Sequence, residues 1–159
     1  MNVKRVLFVC MGNICRSPTA EAVVRSMLRE AGLEGKVEVA SAGTLGDHFG
    51  HPPDDRAQLH AKRRGYDLAR LRAKQVKKSD FSDFDLVLAM DRVNLATLQR
   101  ICPAAERHKL GLFLEFADAQ GEREIPDPFG GGEERFERVL DLVEEGARGL
   151  LRKLHHDQP

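Results

Sequence analysis

A short apolar run, Val6-Leu7-Phe8-Val9, is followed at once by Cys10-Met11-Gly12-Asn13-Ile14-Cys15-Arg16-Ser17-Pro18, and a helix-period apolar pattern begins there. This sequence of buried strand, five-residue loop and helix constrains the chain more than any other feature. A cysteine stands at the strand's carboxyl end and the loop returns to an arginine at the helix mouth. Backbone N–H groups of such a loop and of the first helical turn converge, and the helix dipole adds positive potential. The cradle suits an anion, and a cysteine facing it is expected to be a thiolate. A cation at a helix N-terminus is repelled by the dipole, so an anion is expected opposite Arg16. A thiolate beside a phosphate-shaped cradle is the equipment for phosphoryl transfer through cysteine. The alternative is a buried strand end next to a solvated arginine, and it leaves that arginine uncompensated.

The rest of the chain alternates strand and helix patterns. Ser17 can N-cap the first helix, with Pro18 at its first position. Ala20, Val23, Val24, Met27, Leu28 and Ala31 share one face, and Gly32 stops the helix. Residues 37–42 read as a second strand, 44–53 as a loop, and 54–64 as a polar helix ended by Gly65. Residues 86–90 make a third strand. Asp91 then caps a helix carrying Leu95, Leu98 and Ile101. Residues 110–113 make a fourth strand, and 115–132 a long connection containing Ile125-Pro126-Asp127-Pro128-Phe129. Residues 133–154 are amphipathic through Phe136, Val139, Leu140, Val143, Ala147, Leu150, Leu151 and Leu154. Residues 1–154 are thus one domain, and 155–159 a tail whose His155-His156-Asp157 is a frayed end.

Strands separated by helices imply a doubly wound, four-stranded parallel sheet with helices on both faces. Right-handed crossovers give the order 2-1-3-4. Ligands bind such sheets at the point where the winding reverses, beyond the strands' carboxyl ends. The loop after the first strand lies there, so topology and motif select one location.

Lys+Arg and Asp+Glu are both 25, so no global field recruits a nucleic acid or an anionic membrane, and anion selectivity is local. No segment is long enough to span a membrane, and Gly12, Asn13 and Arg16 break the apolar start too early for a signal peptide. The expected compartment is the reducing cytosol, and the expected state a monomer. The three cysteines do not form a zinc pattern. Cys10 and Cys15 share one loop, which suits redox exchange better than a structural staple. Cys102 reads as a buried helix-end residue. His48, His51 and His60 read as solvated surface histidines.

Over nearly its whole length the chain resembles the low-molecular-weight protein tyrosine phosphatase family. The likeness rests on residues 9–18, on Ser41-Ala42-Gly43-Thr44, on Phe84-Asp85-Leu86-Val87-Leu88-Ala89-Met90-Asp91, and on Asp127-Pro128-Phe129-Gly130-Gly131. Chemistry read from the residues stands beside it. Cys10 attacks phosphorus in line, and Arg16 grips the equatorial oxygens with its planar fork. Met11, Gly12, Asn13, Ile14, Cys15, Arg16 and Ser17 form the phosphate-binding loop, whose amides stabilise charge in the transition state. The Ser17 hydroxyl can hydrogen-bond the sulfur, and Asn13 would brace the loop. Leu71 stands where some relatives carry a histidine that supports this asparagine. By its own spacing Asp127 is equally well a turn residue, since Asp-Pro is common in turns. The resemblance implies that it is the general acid, then the general base for water. It further implies substrate walls at Met11, Ile14, His48 and Phe129, phosphotyrosine proteins as substrates, and inorganic phosphate as a competing ligand. No cofactor or metal is expected.

Arsenate reductases share the loop but need two further cysteines downstream, and only Cys102 lies beyond Cys15. Arginine phosphatases are nearer. The resemblance implies a threonine in place of Ile14 in that branch, which favours phosphotyrosine here, although that branch also carries Asp-Pro-Phe. A phosphate-binding or thiol redox sensor on the same scaffold would need the loop and Arg16 but not a proton donor.

Overall fold

The computed structural model describes residues 2–117 and 121–158. Its centre is a strand that alternates by side. In β1 (Arg5–Cys10), Val6, Phe8 and Cys10 face one apolar cluster, while Leu7 and Val9 face another. Burial on both sides makes the strand continuously apolar, as parallel sheets require. β1 lies between β2 (Glu38–Gly43) and β3 (Leu86–Ala89), and β4 (Leu110–Leu112) pairs with β3. All pairs are parallel and the order is 2-1-3-4, as the alternation of patterns predicts.

On the Phe8 side pack α1 (Arg16–Glu30), α2 (Asp55–Arg63) and α5 (Glu133–His156). Phe8 meets Phe113 edge to face at 5.1 Å between ring centroids, a geometry the ring quadrupoles favour. Closeness of α5 to the segment Phe113–Phe116 rests on glycine, most strictly at Gly149, with Gly146 facing Phe113 and Leu114. A Cβ at Gly149 would stand 1.6 Å from the Phe116 carbonyl oxygen, so only glycine fits. On the Leu7 side lie α3 (Lys78–Asp83) and α4 (Arg92–Ile101), through Phe81 and Leu98.

Three local expectations need correction. Ser17 does not cap α1. Cys15 takes that position, and the Ser17 hydroxyl is drawn to groups behind the loop instead. His60 is buried, not solvated, because α2 lies against α5 and not in water. α5 continues through His156, two residues into the segment read as a tail. Residues 66–85 show no clean apolar period, so α3 was not legible. Within the long 115–132 connection, 118–120 lie outside the described residues. Among the described residues no helix is long and apolar enough to cross a membrane.

Candidate active site

β1 delivers Cys10 to the carboxyl edge of the sheet, opposite Gly43 of β2. Beyond it the loop is tied from outside. Thr44 N–H donates to the Cys10 carbonyl at 2.9 Å, Leu45 N–H to Met11 at 2.9 Å, and Asp54 N–H to Ile14 at 2.8 Å. A trans peptide sets N–H opposite C=O, so carbonyls held outward turn the following N–H groups toward the cradle. Gly43 permits this tether, since a Cβ there would meet the Met11 oxygen at 2.7 Å and the Leu45 oxygen at 3.0 Å.

Asn13 holds the loop from beneath. It is buried at φ 57, a left-handed conformation asparagine tolerates. Its Nδ2 donates to Ser17 Oγ at 2.8 Å and to Ser41 Oγ at 3.0 Å, and its Oδ1 accepts from Lys74 N–H at 3.0 Å. Ser41 in turn donates to Glu21 Oε1 at 2.6 Å. The support that Leu71 cannot give therefore comes from two hydroxyls and a backbone amide. Ser17 Oγ is 2.9 Å from Cys10 Sγ. Asn13 donates to that hydroxyl, so the serine's single proton can go either to the sulfur or to the Ala42 carbonyl at 3.4 Å.

Arg16 is 3% exposed. Its Nη1 donates to Asp91 Oδ2 at 2.6 Å and to the Ile125 carbonyl at 2.9 Å. Asp91 is thus the anion that the sequence demands opposite Arg16, and it was legible only as a helix cap. It does cap α4, through Oδ1 accepting from Asn94 N–H at 2.7 Å. One carboxylate serves both tasks with different oxygens. Only the separation of 75 residues concealed the second.

A cleft with about 150 Å³ of space opens above the loop, lined by Cys10, Met11, Gly12, Ile14, Cys15, Arg16, His48, Asp127 and Phe129. Of the residues read from sequence as catalytic, phosphate-binding or substrate-wall residues, Asn13 and Ser17 are absent from this lining, and both are buried behind the loop. Asp127 is exposed, and its Oδ1 accepts from Phe129 N–H at 3.0 Å. Burial, and then the nearby Asp54 carboxylate, push the Cys15 thiol well up, so Cys15 is a neutral thiol at physiological pH. His51 is exposed and does not line the cleft, and Cys102 is buried at the end of α4. Among the described residues no group of three His, Cys, Asp or Glu side chains could hold a metal ion.

A parallel sheet with a cysteine, an arginine and an aspartate gathered at its switch point defines a cysteine-loop phosphatase architecture. The profile of the family described as low molecular weight phosphotyrosine protein phosphatase matches residues 5–159, and the chain belongs to that family of enzymes. The low molecular weight protein-tyrosine-phosphatase of Streptomyces coelicolor is 44% identical over 150 residues, 92% of this chain and 91% of the relative. The low molecular weight phosphotyrosine protein phosphatase of Homo sapiens is 40% identical over 153 residues, 96% of each chain. The crystal structure of a protein tyrosine phosphatase from Entamoeba histolytica with Hepes in the active site superposes with a TM-score of 0.93. It is 38% identical and covers 96% of this chain and 97% of that one.

Proposed function

We propose that the protein hydrolyses phosphotyrosine in proteins through a phosphocysteine intermediate, without a metal. The observation that carries the reading is the convergence of Cys10, Arg16 and Asp127 on one cleft. The Cys10 thiolate attacks phosphorus as the phenolic oxygen departs. Arg16, held at Nη1, offers Nε and Nη2 to the equatorial oxygens, and the loop amides take the spreading charge. Asp127 gives its proton to the departing phenolate. Its Oδ1 is fixed as an acceptor, which leaves Oδ2 to carry that proton. In the second step Asp127 takes a proton from water, the water oxygen bonds to phosphorus, and the sulfur leaves with the Ser17 hydroxyl beside it.

The cleft walls suit a phenyl ring. Met11 and Phe129 are exposed, His48 lies over Gly12, and Ile14 adds a further apolar side. Ile14 also speaks against phosphoarginine, whose guanidinium needs hydrogen-bond acceptors at the wall. Inorganic phosphate competes for the same cradle, and the protein acts as a monomer. Cys10 and Cys15 are both free thiols. Peroxide oxidises Cys10 to the sulfenic acid and is reduced to water. Cys15, which rests as a neutral thiol, attacks that sulfur as it gives up its proton, and the hydroxyl leaves with the proton as water to give a disulfide. The reducing cytosol keeps the pair open. A panel of phosphotyrosine and phosphoarginine peptides, assayed with and without chelator, tests the substrate. Phosphotyrosine turnover unaffected by chelator is expected. Preference for phosphoarginine, or loss of activity on chelation, would replace this reading.

A further inference from the structure

A buried histidine outside the cleft has no part in the chemistry above. His60 of α2 is 2% exposed, its Nδ1 lies 2.5 Å from Glu137 Oε2, and its ring stacks on Phe136 at 5.6 Å and 9°. One helical turn earlier, Arg56 lies over the same Phe136 ring at 4.7 Å. Its Nη1 donates to the Gly131 carbonyl at 2.9 Å. That last bond leaves the helices and reaches the loop carrying Asp127.

The 125–131 loop has three anchors. At its start, Ile125 N–H donates to Met90 and the Ile125 carbonyl accepts from Arg16, both at 2.9 Å. In the middle, Pro128 is buried against a small cavity of about 10 Å³ shared with Cys15, Ala57, His60 and Phe136. At its end, Gly131 is held by Arg56. Asp127 sits between the first two anchors, exposed, with its carboxylate bonded to the loop's own Phe129 N–H. Its place in the cleft is therefore set by what holds Ile125, Pro128 and Gly131. α2 contributes to two of the three anchors, the middle one together with α5 and the start of α1.

We propose that Arg56 and His60 are positioning residues for the general acid: through Phe136, Pro128 and the Gly131 carbonyl they hold the 125–131 loop so that Asp127 reaches the leaving-group oxygen. The inference rests on the reading of Asp127 as that acid. Displacing a catalytic group by about 1 Å can cost 10²-fold, so a loosened anchor is visible in rate without touching the cradle.

The test is single-turnover phosphorylation of the full-length enzyme by aryl phosphates of graded phenol acidity. Asp127→Asn should make the rate depend more steeply on leaving-group acidity. Arg56→Ala and His60→Ala should give slopes between wild type and Asp127→Asn, with losses on the order of tenfold for phenyl phosphate. Rates with the most acidic phenols, and inhibition by inorganic phosphate, should stay at wild-type values. Arg56→Lys, which can still donate to Gly131, should recover part of the slope, and His60→Phe, which keeps a ring on Phe136, should do likewise. In the Asp127→Asn background, Arg56→Ala should add no steepening. Arg56 is exposed, so its variants carry the test even where His60→Ala does not fold. A wild-type slope in Arg56→Ala beside a steep one in Asp127→Asn overturns the positioning role alone. An unaltered slope in Asp127→Asn removes the acid, and this inference with it. An equal loss with every substrate, with weaker phosphate inhibition, also overturns it, because α2 would then act on the cradle.

Discussion

Arg16 divides its work between nitrogens. Nη1 is spent on Asp91 and Ile125, and the remaining donors are kept for substrate. Lysine offers a point charge and cannot do both, so Arg16→Lys should lower kcat/KM by roughly 10² or more, measured with p-nitrophenyl phosphate. Near-wild-type turnover would reduce Arg16 to a structural cation. Asp91→Asn tests the other half of the pair. It can still cap α4 through its amide oxygen, but it leaves a buried guanidinium without its counter-charge, at a cost of about 3 kcal/mol. Phosphate would then supply the missing anion, so it should raise the Tm of Asp91→Asn more than that of wild type. Equal shifts would mean the two anions do not share Arg16. Cys10, Arg16, Ser17 and Asp127 were legible as a local pattern plus a family likeness. The second task of Asp91 and the burial of His60 were not, because each depends on a partner more than seventy residues away.

Among the elements, α5 carries the most information that sequence conceals. Its apolar stripe was plain, but the need for Gly149 was not, since helix propensity alone disfavours glycine there. Gly149→Ala should destabilise the protein by about 3 kcal/mol or more, read from urea unfolding, because the clash is with backbone and no side chain can yield. α5 also supplies Glu137 to α2. Hydrogen bonds first from Arg64 and then from His60 hold the Glu137 carboxyl below the usual carboxylate range. A carboxyl depressed in the folded state stabilises at neutral pH, and that contribution disappears as pH falls through its folded value. Between about pH 5 and pH 3 the wild type should therefore lose stability faster than Glu137→Gln. Parallel acid limbs in urea midpoints would show that the α2–α5 pairing owes nothing to this carboxylate.

At the scale of the whole molecule, alternation of apolar runs sufficed for the sheet and its order. The motif at the first strand then fixed where a ligand binds. What escaped was how three distant segments, around residues 10–17, 41–54 and 125–131, are tied together. The ties between the first two are largely backbone bonds such as Thr44 to Cys10 and Asp54 to Ile14, which leave no mark on residue type. The third is reached through the Arg16 side chain on the Ile125 carbonyl, a partner that any residue could supply. The fold brings a strand-end thiol, a helix-start guanidinium and a loop carboxyl to one cleft, and the proposed function stands on the thiol being the nucleophile. Rapid-quench reaction with a phosphotyrosine peptide, followed by mass analysis of the Cys10 peptide, tests that directly. A phosphoryl group on Cys10 should appear before free phosphate accumulates, decay at a rate compatible with turnover, and be absent in Cys10→Ser. Turnover in Cys10→Ser, or phosphate release with Cys10 unmodified throughout, would contradict the account.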